Sequence, residues 1–504
     1  MKNLFSLILV LFCGYSSVSQ TENIPEMKTQ KGFIKIDFLS IDMPKTSIIN
    51  EPNMGFSGIH YNIFLNKSFY TGVGIYGAVN GKRGGFFTMG INAGYQKYIN
   101  EKLYIDTGFH FGGGGGAGAP DGGGAFILPH FNLGYNFNHF SVNTGWSYVN
   151  FFDAGLIKGN QLNVALEIPL DFKYSNYKNS EINFTSQVLN NSSWKQETKK
   201  TSFLVHFNNL EVKSEGPLKE KTIRLAGFEF GNYLTRNWFA FLKVDGAYSG
   251  IRGGYMDVFL GAGYHFYFNN NKTNILAKFG LGAGGGGGVD SDGGFLLHPD
   301  ISIEQQLFSG FYISLNKGYL FTPSSLLSTS NYGIGLKYYV ERNGSYSKEK
   351  TFNKGKFKGI EVILKQDWYF DAIRMTNPTE DMHQMSLQIN FDISKNLFLA
   401  GQTSFANFGN AGAYGEGLIG AGIKTNNTSH STFFAQVLAG AAGGGNISTG
   451  EGLIIKPSLG IDYKITNTLS IRSALGYVKA KGGNLSNSFV NFGLKYNFSF
   501  LSMK

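Results

Sequence analysis

The chain has 504 residues, of which 69 are Gly, 15% are aromatic and 15% are charged, with a formal net charge of +10. Gly stands at about twice its usual ~7% and charge well below the ordinary ~25%, and so many aromatics exclude a disordered chain. Beyond the N-terminus no stretch approaches the ~18–20 apolar residues of a spanning helix, and Gly costs ~1 kcal/mol per helix position, so a helical membrane protein and a compact helical enzyme are both excluded in favour of a large β protein.

Lys2, the apolar run Leu4 to Phe12, and Ser17-Val18-Ser19 before Gln20 predict a cleaved secretory signal over residues 1–19. Cys13 is the only cysteine and lies inside it, preceded by Phe12 rather than the small residue that lipidation wants. The mature chain then has no thiol, which removes disulfides, zinc-thiolate sites and Cys nucleophiles. Loss of Lys2 leaves a basic balance spread over turns and connecting segments, such as Lys195, Lys199, Lys200, Lys348, Lys350, Lys354 and Lys356. In an exported protein that pattern fits solvated connectors, anionic headgroups or polysaccharide, and not nucleic acid.

Three similar units follow, over 32–172, 201–340 and 357–500. A turn reads Lys67-Ser68-Phe69, then Arg236-Asn237-Trp238, then Lys395-Asn396-Leu397. Arg83-Gly84-Gly85 returns as Arg252-Gly253-Gly254 and is matched in the third unit to Gly415-Glu416-Gly417. Glycine runs at Gly112 to Gly116, Gly284 to Gly288 and Gly443 to Gly445 each precede an acidic–Gly step and then Pro129, Pro299 or Pro457. The intervening 173–200 and 341–356 are polar, rich in Asn, Ser and Lys, and read as linkers.

Within each unit the period is two, which predicts strands. Leu162, Val164, Leu166, Ile168, Leu170 and Phe172 oppose Asn163, Ala165, Glu167, Pro169 and Asp171; Phe492, Leu494, Tyr496, Phe498 and Phe500 oppose Asn491, Gly493, Lys495, Asn497 and Ser499. Eight strands are expected per unit, most long enough to cross a bilayer at a tilt, which takes ~9–11 residues. The polar face holds Gly, Asn, Thr and Ser with few charges, as a crowded lumen would. Turns near Asn66, Asn100 and Asn138 are short, whereas 42–53, 78–85, 112–124 and 152–160 are long. Short periplasmic turns and long outer loops are the habit of outer-membrane barrels. The fold expected is all-β: three tandem antiparallel eight-stranded transmembrane β-barrel units, with one barrel of about 24 strands as the alternative.

Gly493-Leu494-Lys495-Tyr496-Asn497-Phe498, the Ser-Gln cleavage site and the Tyr/Asn/Lys/Gly-rich strands carry a resemblance. Each unit resembles the eight-stranded OmpA/OmpX-type barrels, and the chain is similar to Bacteroidota cell-envelope proteins. The strand ending resembles the signal read by the barrel-insertion machinery, although Leu501 to Lys504 follow it. The resemblance implies an outer-membrane location and that machinery as a partner during biogenesis, with outer-membrane lipid around the barrels; it implies no activity.

No catalytic, cofactor-binding or metal-binding residue stands out, and no cofactor is expected. The glycine runs lack the helix and the Lys-Ser/Thr of a phosphate loop. They suit close backbone approach to a surface glycan or protein ligand, or else sharp strand bending or tight packing where a barrel narrows. Asp290-Ser291-Asp292-Gly293 opens like a calcium loop but lacks the later ligands, which favours a turn. His110 and His265 fall on the polar face; His130 and His298 flank the repeated prolines on opposite sides. His139-Phe140-Ser141 is similar to the His-x-Ser of outer-membrane lipid A deacylases, but sits at a turn expected on the periplasmic side. Glu167, Lys337 and Lys495 share one inward position and are expected to pair within the lumen. The leading expectation is a non-enzymatic outer-membrane protein with a structural or surface-interaction role; a pore or transporter made of one wide barrel is second, and a lipid-acting hydrolase third.

Overall fold

The computed structural model describes residues 24–45, 50–372, 374, 379–425 and 430–504; the signal segment expected over 1–19 lies outside the described residues. Three runs of eight antiparallel strands each close on themselves. In the first, Gly32–Ile41 pairs with Lys158–Pro169 through partners such as Lys35 and Glu167. The second runs from Lys199–Val212 to Ser328–Arg342 and closes at Val205 and Leu336. The third runs from Lys354–Ala372 to Ser486–Met503 and closes at Leu364 and Leu494. These are the three eight-stranded barrels that the period of two predicts.

The short turns share one mechanism. The Asn66 side chain accepts from the Ser68 and Phe69 N–H groups at 2.9 Å, and Thr235 and Ser394 do the same for Trp238 and Leu397 at 3.0 and 3.2 Å. Small polar side chains here replace the backbone partner that a tight turn lacks.

Burial is inverted relative to a soluble barrel. Leu162 is 77% exposed and Phe492 62%, whereas the inward Asp106, Glu304 and Asp367 are each fully buried. Apolar side chains outward, polar ones inward and every ladder closed is the arrangement that crosses a bilayer.

The inward face departs from expectation at the long-loop end. There it turns apolar: Met54, Phe56, Phe126 and Phe151 fill the first lumen, Leu210, Ile223 and Leu225 the second, and Met382, Tyr414 and Val478 the third. Phe126 and Phe151 stack at 5.1 Å, and Phe56 and Tyr76 at 4.9 Å. Here the inward face is as apolar as the outward one or more so, as at Met54 and Phe56 beside Gly55 and Ser57, so the sequence pattern does not tell which face meets lipid.

The segments read as linkers are folded. Phe172–Asn176 pairs with Lys28–Gln30 and with the last strand of the third barrel, and Asn183–Thr185 pairs with Lys354–Lys356. Trp194, Leu189, Phe184, Phe357, Leu501 and Met503 form a buried cluster at the short-turn end, where Trp194 Nε1 donates to Pro25 O at 2.6 Å. A polar composition hid a small core built from one residue of every few.

The barrels pack as a ring. The third strand of the first barrel (Phe69–Asn80) lies on the fifth of the second (Thr273–Gly285). The third of the second (Trp238–Ser249) lies on the fifth of the third (Ser431–Gly443), and the third of the third (Leu397–Phe408) on the fifth of the first (Leu103–Gly115). Each unit thus offers the same two strands, giving pseudo-threefold symmetry within one chain. Phe87 and Met89, Val258 and Ala283, Met385 and Phe405 meet between the barrels in one apolar cluster.

Candidate functional site

Two places concentrate polar chemistry or unusual backbone: the lumens and the seams between barrels. In the first lumen Lys35 pairs with Asp106 at 3.1 Å and His60 with Asp37 at 3.2 Å, while Tyr70 and Tyr76 donate to those two carboxylates at 2.8 Å. In the second, Lys278 lies 2.7 Å from Glu229 and 3.3 Å from Asp300, and Lys337 lies 2.9 Å from Glu304. In the third, Lys456 bridges Asp367 and Glu416 at 2.7 and 3.1 Å. Beside it Lys424 meets Glu361 at 2.9 Å, and Lys495 and Arg472 meet Asp462 at 2.7 and 2.6 Å. Buried charges of this kind persist only when paired.

Lys337 and Lys495 sit in these networks; Glu167 makes no ion pair among the described residues and instead accepts from the neutral donors Asn143, Tyr104 and Gln96 at 2.7, 2.9 and 3.0 Å. Many inward glycines face a ring from a neighbouring strand. A Cβ at Gly74 would overlap His60, at Gly94 Tyr70, and at Gly134 Tyr104. The lumens are therefore filled, and the first holds a cavity of only about 20 Å³ among Lys35, His60, His110 and His130. That is room for about one water.

The seams explain the glycine runs. Gly84 N–H donates to Asp292 O at 3.2 Å, Gly253 N–H to Gly450 O at 3.0 Å, and Gly412 N–H to Gly122 O at 3.2 Å. These are one hydrogen bond repeated three times around the ring. Around each, backbone lies on backbone: a Cβ at Gly285 would sit 2.7 Å from Gly84 and Gly85, one at Gly254 3.0 Å from Gly444 N, and one at Gly124 2.7 Å from Ala406 O. These runs pack tightly, but against the neighbouring barrel and not, as expected, where one barrel narrows. The third copy of the Gly-Gly turn is thereby corrected from Gly415-Glu416-Gly417 to Ala411-Gly412-Ala413, where alanines disguise the motif.

Asp121 sets the first-to-third seam apart. It occupies the place of Ser291, whose Oγ donates to Gly284 O at 2.7 Å, and of Thr449. Its Oδ2 accepts from Gly116 N–H at 2.7 Å. Burial outweighs that bond and the nearby Arg83, and pushes the carboxyl up from 3.8 to about 7. Between those values the folded loop holds a proton that the unfolded chain has lost, so stability falls as pH rises. Thermal unfolding of the parent should shift down between pH 4 and pH 7, and Asp121→Asn, which keeps the acceptor, should flatten that dependence.

The remaining candidates disperse. His110 Nδ1 pairs with Asn92 Oδ1 at 2.6 Å and His265 Nδ1 with Tyr233 OH at 2.6 Å. His130 reaches Asp106 at 3.2 Å, and His298 Nδ1 donates to Tyr319 O at 2.9 Å. Asp290 Oδ1 accepts from Asp292 N–H at 3.0 Å, closing a turn. His139 is exposed while Ser141 is buried, and no hydrogen bond joins them among the described residues. Sequence reasoning missed Tyr177, which leaves the first connecting segment and enters the mouth of the third lumen, donating to Asp392 at 2.6 Å and Glu361 at 3.1 Å.

No known protein family matches the sequence, nor does any curated protein. Among solved structures, the chain is similar to OpdQ of Pseudomonas aeruginosa at 10% identity, covering 94% of this chain and 98% of that one, with a TM-score of 0.20. It is similar to OccAB3 of Acinetobacter baumannii at 10% identity, 94% and 100% coverage and a TM-score of 0.22. The ferric enterobactin receptor PfeA of Pseudomonas aeruginosa gives 8% identity, 93% and 80% coverage and a TM-score of 0.28. At such scores the architecture rests on the strand ladders described above.

Proposed function

We propose that the chain is a non-enzymatic outer-membrane protein whose three barrels are sealed, and which serves as a structural or surface-interaction component of the envelope. The observation that carries this is the closed lumen: ion-paired side chains along its length and an apolar plug at the long-loop end of each barrel. An eight-stranded barrel has an interior just wide enough for its own side chains, so no path for solute remains. The long-loop end faces outward, because long outer loops and short periplasmic turns go together. Its loops meet over the seams as one platform, a suitable seat for a glycan or protein ligand.

The pore or transporter reading is second. It draws on one feature of the fold, the continuous 19-stranded sheet in which the second and third barrels are joined where Glu341 and Arg342 pair with Met503 and Ser502. Planar-bilayer recording separates the two. The sealed barrels should add no conductance steps above the bare membrane; sustained large steps would overturn the proposal in favour of transport.

A further inference from the structure

We infer that the rim of short turns binds anionic phospholipid headgroups, an inference that rests on the membrane orientation proposed above. The charge of the chain is not spread evenly between its ends. The loops joining barrel strands at the long-loop end carry nine Lys or Arg and nine Asp or Glu. The turns and connecting segments at the other end, with residues 24–31 and Lys504, carry thirteen and six. One face is neutral and the other strongly basic.

Position identifies the partner. Lys67, Lys102, Arg236, Lys272 and Lys395 are exposed, one on each of five barrel turns. Each turn stands directly beyond an apolar collar: Phe69, Tyr98, Trp238 and Phe268 are about half exposed, and Leu397 is 38% exposed. Aromatic girdles mark the membrane–water boundary, so cations two or four residues away along the chain, on the turn side, lie at the depth of lipid phosphates. Two of them also stay near a ring, with Lys102 Nζ 5.9 Å from Tyr135 and Arg236 5.6 Å from Tyr267. Glu349 lies 3.7 Å from Arg236, and the other four make no ion pair among the described residues. Cations beside a leaflet attract anionic lipid by about fivefold each. A carboxylate polymer of the envelope would instead meet the lysines of the folded connecting segments.

The test uses the full mature protein in phosphatidylcholine vesicles doped with spin-labelled phosphatidylglycerol or spin-labelled phosphatidylcholine. The motionally restricted fraction should favour phosphatidylglycerol by about fivefold and lose that preference in 1 M salt, where screening shortens to about 3 Å. The combined Lys67→Gln, Lys102→Gln, Arg236→Gln, Lys272→Gln and Lys395→Gln variant should bind both lipids alike. Lys82→Gln with Lys213→Gln and Lys219→Gln, on the other face, should leave the preference intact. Equal restriction of the two lipids by the parent, or a preference that survives both salt and the rim variant, would overturn the inference; the salt series stands even if that variant does not fold. Sacculus binding by the parent, with the two lipids restricted alike, would overturn it in favour of a polymer. No restricted lipid with either label would instead remove the membrane reading itself.

Discussion

Replacing Gly84, Gly253 or Gly412 by Val should open one seam and leave each barrel folded. None of the three has a positive φ, so the barrel to which it belongs accepts a side chain. The obstruction lies in the neighbour. A Cβ at Gly84 would stand 2.6 Å from Asp292 O, at Gly253 2.8 Å from Ala442 O, and at Gly412 2.6 Å from Gly122 O. All are backbone atoms that cannot rotate away. Overpacking of this kind costs ~1–3 kcal/mol, and the displaced inter-barrel hydrogen bond adds ~1 kcal/mol. The triple variant should therefore lose several times the stability of any single one, because the last seam of a ring cannot hold the axis closed. Cys13 being the only cysteine, a Met89→Cys reporter on the central cluster in a Cys13→Ser background reads the result. The parent should protect that thiol from a membrane-permeant maleimide, and the triple variant should label it rapidly. Equal labelling, with unchanged thermal unfolding, would show that the seams do not hold the ring.

How much of this was legible follows from which signals have a period. Alternation along Leu162 to Asp171 and along Asn491 to Phe500 places Glu167 and Lys495 inward, and the cost of an unpaired buried charge predicts the ion pairs of Lys495, whereas Glu167 meets only neutral donors. Repeat spacing exposed three units because turns and glycine runs recur at fixed distances. Tertiary partners leave no such trace. Gly84 reads as a turn glycine whether or not a second barrel touches it, and only the seam shows that its counterpart in the third barrel is Gly412 and not Glu416. Tyr177 lies in a polar stretch without alternation, yet it reaches a carboxylate 184 residues away. The apolar plugs escaped for the opposite reason: around Met54 and Phe56 the outward partners are Gly55 and Ser57, so neither face reads as lipid-facing.

The ring also changes what the lumens must do. A lone small barrel needs only to be filled; here the third lumen also holds the segment that connects the first barrel to the second. Phe172–Asn176 adds to the sheet edge of the third barrel, and Tyr177 then turns inward to share carboxylates with Lys424, whose Nζ lies 2.6 Å from the phenol oxygen. The chain order one–two–three is thus tied across its ends, so that loosening the third lumen should loosen the assembly.

Glu361 is the point at which that tie is most exposed. Its carboxylate is 1% exposed and takes Lys424 at 2.9 Å, Lys495 at 3.1 Å, Tyr177 OH at 3.1 Å and Asn390 Nδ2 at 2.8 Å, with Arg472 at 3.9 Å. Glu361→Gln keeps the shape and removes the charge, so three cations are left with Asp392 and Asp462 as the remaining acids of the cluster. Removing one partner from a buried ionic network costs ~3–5 kcal/mol, and the third barrel should unfold at markedly lower urea than the other two. Adding Lys495→Met should recover part of that loss, since a neutralised pair of matched volume is far less costly than an unpaired cation. Resistance to trypsin at Lys173 and Lys178 reports the segment that Tyr177 anchors: it should fall in the single variant and return in the double. Unchanged urea resistance and proteolysis in Glu361→Gln would mean that the cluster, although paired in the structure, does not hold the third barrel to the chain that crosses its mouth.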